Sequence, residues 1–74
     1  MLKKFKDYLD DILPVDFYYQ VSSDGKELII KNENQYVYLF HLQELENTFE
    51  LCCSLVPTII ELNKEAKYDF KVFN

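Results

Sequence analysis

Three kinds of side chain in this sequence could do chemistry: one imidazole, two thiols and thirteen carboxylates. Nucleophilic catalysis needs a base beside a hydroxyl or thiol, and the only base of that kind is His41, where a strand pattern hands over to a helix pattern. No second ligand or orienting carboxylate stands at a recognisable spacing from it, so neither a catalytic nor a metal role is expected. The thiols, Cys52 and Cys53, are neighbours. On a helix they point about 100° apart, which suits neither a routine disulfide nor a metal knuckle. The single glycine, Gly25, rules out a glycine-rich phosphate cradle. These residues predict a non-enzymatic protein without cofactor or metal.

The carboxylates carry a different message. Thirteen acids oppose eight lysines and no arginine, for a net charge of −5. All thirteen acids lie from Asp7 onward, whereas Lys3, Lys4 and Lys6 crowd the start. Such a surface repels phosphate backbones and lacks the guanidinium forks that nucleic-acid readers use, so a basic or neutral protein surface is the expected partner and direct nucleic-acid binding is not. Glu46 with Glu50 and Glu61 with Glu65 read as i, i+4 pairs, roughly 6 Å apart along a helix. Asp10 and Asp11, with Asp7, extend the acidic set. Tyr18, Tyr36 and Tyr38 are a second candidate surface, because tyrosine combines a large apolar ring with a polar tip and is enriched at interfaces.

The elements that must position these groups are legible as patterns. Leu2, Phe5, Leu9 and Ile12 recur at helical spacing up to Pro14, which ends a first helix. Its lysines at the start and Asp10 and Asp11 near the end oppose the helix dipole, a broken rule that marks the acids as candidates for a partner. Residues 17–40 read as three antiparallel strands. Asp24-Gly25 suits a two-residue type I′ turn that pairs Val21 with Leu28 and Tyr19 with Ile30. An even second loop around residues 32–35 would put Phe17, Tyr19, Val21, Leu28, Ile30, Val37 and Leu39 on the core face. Tyr18, Gln20, Ile29, Lys31, Tyr36, Tyr38 and Phe40 would then face outward, and an odd loop would exchange the faces of the third strand.

From Leu42 to Ile60 the apolar residues hold helical phase, interrupted by Pro57. Either one helix kinks there or a second begins with Pro57 in its first turn. Gln43, Glu46, Glu50, Ser54, Glu61 and Glu65 form the polar ridge. Residues 67–73 alternate as a short strand would, offering a fourth strand or a cover for the outer sheet face. The expected architecture is one α+β domain over residues 1–74: helix, three-stranded antiparallel sheet, and a kinked or broken C-terminal helix on one sheet face. No apolar run serves as a signal peptide or a membrane span, so the expected location is the cytoplasm.

In element order and acidic, arginine-free composition the chain resembles small phage-encoded anti-CRISPR proteins, which occupy the DNA-binding surface of a CRISPR effector. The likeness covers most of the chain, and no motif transfers a functional residue. What it implies is an acidic inhibitor acting in the cytoplasm of a host cell; the charge and aromatic pattern of this chain itself points to Glu46, Glu50, Glu61, Asp10 and Asp11 as primary contacts and Tyr18, Tyr36 and Tyr38 as secondary anchors. The alternative expectation is a homodimeric module that associates through the tyrosine-bearing sheet face. A third reading, stacking of bases on the same tyrosines, is opposed by the charge. Helix, three strands, helix is also the order of double-stranded RNA-binding domains, but Leu42, Gln43, Glu44 and Glu46 stand where those domains are basic.

Overall fold

A computed structural model describes residues 1–65, in the order α1 (Leu2–Ile12), β1 (Phe17–Val21), β2 (Glu27–Asn32), β3 (Gln35–His41), α2 (Leu42–Asn47) and α3 (Phe49–Glu65). The fold is the expected α+β arrangement, with a three-stranded antiparallel sheet of order β1-β2-β3 and helices packed on one of its faces. The strand expected over residues 67–73 lies outside the described residues.

Helix α1 buries Phe5 and Leu9, with Leu2, Tyr8 and Ile12 at the margin. It ends before Pro14, where Leu13 turns to extended backbone (φ −68°, ψ 131°). No acid stands in its first turn and no base in its last, so the charge pattern does run against the dipole.

Strands β1 and β2 pair in the expected register, with Val21 opposite Leu28 and Tyr19 opposite Ile30. The turn that sets this register differs from expectation. Gly25 alone has positive φ there (+72°), and the loop closes through the Ser22 carbonyl, which accepts from Gly25 N at 2.9 Å. A type I′ turn needs two left-handed residues, and Asp24 is not one. Its carboxylate is used instead as a staple: Oδ1 accepts from Ser22 Oγ at 2.6 Å and from Lys26 N at 3.0 Å.

The second turn has the expected even parity, since Asn32 pairs with Gln35 and Lys31 with Tyr36. A bulge beyond Lys31 then inserts one residue into β3, so that Ile30 meets Tyr38, Ile29 meets Leu39 and Leu28 meets Phe40. Past the bulge every β3 side chain changes sides relative to expectation. Phe40 is therefore core, Leu39 faces outward, and Tyr38 lies on the helix side beside Phe40, ring centroids 4.8 Å apart. Val37, at the bulge, packs against the core as expected.

The C-terminal helical segment is broken, but not at Pro57. The break is at Thr48 (φ −137°, ψ 49°), whose N–H and Oγ1 both donate to the Glu44 carbonyl at 2.8 Å. Its own carbonyl accepts from Cys52 N at 3.0 Å, so one residue closes α2 and opens α3. Helix α3 then runs through Pro57. Proline has no N–H to give the carbonyl four residues back, that of Cys53, and orphans it. Tyr8 of α1 fills the gap, its hydroxyl donating to Cys53 O at 2.9 Å. Asn32 Nδ2 ties the end of β2 to Asn63 Oδ1 of α3 at 3.1 Å.

Phe5, Leu9, Phe17, Leu28, Ile30, Phe40, Leu45, Cys52, Val56, Ile59 and Ile60 are the buried core. Phe5 stands at its centre, edge-on to Phe40 at 5.1 Å and to Phe49 at 6.3 Å.

Candidate functional site

The break at Thr48 separates Glu46 on α2 from Glu50 on α3, so the i, i+4 relation expected on one continuous helix does not hold. Glu50 and Glu61 do share a face of α3, eleven residues and close to three turns apart, with Glu65 one turn further on. All four glutamates are exposed. Among the described residues the only pair of a lysine with an acid is Lys3 with Asp7 at 3.3 Å, and His41 Nδ1 lies 3.6 Å from Glu27 Oε2. Glu46, Glu50, Glu61 and Asp11 therefore meet no cation there, while Asp10 accepts a 3.0 Å bond from the Tyr19 hydroxyl.

The tyrosines divide. Tyr18 and Tyr36 flank Lys31 in one row across the three strands, on the face away from the helices. Ile29 and Leu39 occupy the next row with Gln20. Tyr38, expected in that patch, is on the other face because of the bulge, although the residue remains 39% exposed. The acids of α3 and the Tyr18–Lys31–Tyr36 row thus look out from opposite sides of a two-layer molecule. They form two surfaces, not one.

His41 pairs across the sheet with Glu27 on that outer face, whereas Cys52 and Cys53 belong to the helix layer. The sheet stands between imidazole and thiols. Burial pushes the Cys53 thiol up from its ordinary pKa, reinforced by Cys52 and Glu50, which keeps it protonated and a poor nucleophile. Among the described residues no three metal-ligating side chains gather, and no helix is long and apolar enough to cross a membrane.

Two exposed residues escaped the sequence reading. Leu51 is 63% and Leu62 57% exposed on α3, and with Leu55 and Thr58 they make a row at i, i+4, i+7 and i+11. The spacing was available in the sequence. The stronger core stripe of the same helix, Cys52, Val56, Ile59 and Ile60, hides it.

Comparisons with protein-family models, with curated proteins and with solved structures each return no match.

Proposed function

We propose that the protein is a non-enzymatic binding protein that sets its acidic helical exterior against the nucleic-acid-binding surface of another protein or complex. The observation that carries this reading is the set of exposed carboxylates at Glu46, Glu50 and Glu61, without a cationic partner among the described residues. With −5 net charge and no arginine, the long-range field steers the molecule toward basic surfaces and away from nucleic acid. The separation of imidazole and thiols across the sheet favours binding over catalysis. The resemblance in element order and charge to anti-CRISPR proteins makes a CRISPR effector the first partner to test, in the cytoplasm of a host cell.

The test is competition. Increasing amounts of the protein should displace double-stranded DNA from the effector, and the variant Glu46→Lys/Glu50→Lys/Glu61→Lys should lose that ability by about tenfold or more while remaining folded, its melting temperature lowered by no more than a few degrees because Glu50 stands in the first turn of α3. Equal potency of the variant overturns the reading.

A second reading has its own observation. The helices cover one sheet face, and the Tyr18–Lys31–Tyr36 row with Ile29 and Leu39 lies on the other. That amphipathic patch fits a second copy of the chain. Sedimentation equilibrium across dilution, with Tyr18→Ala/Tyr36→Ala as the perturbing pair, decides it; a monomer at every concentration defeats it.

A further inference from the structure

We infer that the exposed face of α3 docks a basic amphipathic helix of the partner, with Leu51 and Leu62 as the apolar anchors and Glu50, Glu61 and Glu65 as the charged rim. The inference rests on the acidic-surface reading and names the partner element which that surface takes. Leu51, Leu55, Thr58 and Leu62 lie within a narrow sector of the helix and span eleven residues, roughly 16 Å of its length. Leu55 is half-buried and ties the row to the core, while Leu51 and Leu62 stand out from it. An apolar row at this spacing is what a helix lays against another helix or a groove.

Charge selects the occupant. Glu50, Glu61 and Glu65 follow the row along one flank, within about a quarter turn of it, and Lys64 stands beyond them on the side away from the row, in no ion pair among the described residues. A partner helix with leucine-type residues facing the row and lysine or arginine along the matching edge buries both leucines and answers the three carboxylates. A second copy of this chain would cover the leucines but leave the carboxylates unanswered: antiparallel pairing of two α3 rows sets acid against acid, and each copy brings −5 net charge.

The probe is a synthetic helix of about eighteen residues, with leucine at the facing positions and lysine along one edge, titrated into the full 74-residue chain and followed by methyl and amide NMR shifts. The expected result is saturable binding, with shifts centred on Leu51, Thr58 and Leu62. Leu51→Gln/Leu62→Gln should weaken it by about tenfold or more without changing thermal stability, since glutamine matches leucine closely in helix propensity. A peptide of equal charge with its leucines replaced by serine should bind far more weakly. If it binds as well as the amphipathic helix, the leucine anchors are overturned and the acidic surface stands. If the amphipathic helix binds equally to Glu50→Lys/Glu61→Lys, the acidic surface itself fails. Contacts from the Leu51 or Leu62 methyls to residues 66–74, or to a second copy, in the protein alone would assign the row to another occupant and overturn the inference.

Discussion

At the scale of single residues, the least expected device is the bond from Tyr8 to the carbonyl that Pro57 leaves without a donor. A proline inside a helix costs a hydrogen bond and clashes with the preceding turn. Here a side chain from another helix supplies the missing donor. Tyr8→Phe should therefore lower stability by about 1 kcal/mol. In a Pro57→Ala background, where alanine gives the carbonyl its ordinary N–H, the same change should cost clearly less, a coupling of roughly 0.5–1 kcal/mol. Urea denaturation of the four proteins measures it, and equal costs in both backgrounds would refute the pairing. The same phenol has a pH signature. Burial, then the neighbouring Cys53, holds the Tyr8 pKa above 10.0, and burial with the Asp10 bond does the same for Tyr19. Both groups are preferred neutral in the folded state. Their contribution is complete below the unfolded value and is lost as pH rises through the higher folded values. Thermal melts from about pH 8 to pH 12 should show a decline above pH 10 that is smaller in Tyr8→Phe. The sequence shows Pro57, but nothing in it names Tyr8 as the donor, because the two meet only after α1 packs on α3.

At the scale of elements, strand and helix identities were legible because periodicity reports them directly, as in Leu2-Phe5-Leu9 and in the alternation of residues 17–30. Two local features were not. The bulge near Val37 has no glycine or proline to announce it, and it alone moved Tyr38 and Phe40 to the helix side. The break at Thr48 is masked in the sequence by the louder signal of Pro57, although threonine is a common helix-start residue and Glu50 stands in the first turn after it. The tight turn between β2 and β3 carries a cost of its own. Glu33 has φ +59°, a left-handed position where its Cβ is crowded. Glu33→Gly should relieve that strain and, after the added freedom of the unfolded chain is subtracted, stabilise the protein by about 0.5–1 kcal/mol. A shift of the urea midpoint to lower concentration would show that the turn is not strained.

At the scale of the whole molecule, the two-layer arrangement decides what can act together. Burying one face of the sheet under the helices leaves two outward surfaces of different chemistry, carboxylates and leucines on α3 and a tyrosine–lysine row on the sheet. The sequence offers the acids as primary contacts and the tyrosines as a second surface or secondary anchors; only the layering shows that the α3 acids and the Tyr18–Lys31–Tyr36 row look out from opposite sides. The α3 surface matches the charge of the molecule, and the central claim is that it competes with nucleic acid for a basic partner. The most direct measurement is affinity capture from a lysate containing nucleases and their nucleic-acid complexes, with the wild-type chain and the Glu46→Lys/Glu50→Lys/Glu61→Lys variant as baits, and elution by added DNA. The account predicts that the wild type retains a nucleic-acid-binding complex, that DNA releases it, and that the variant fails to hold it. Retention by the variant, or a captured complex that DNA does not release, would contradict it.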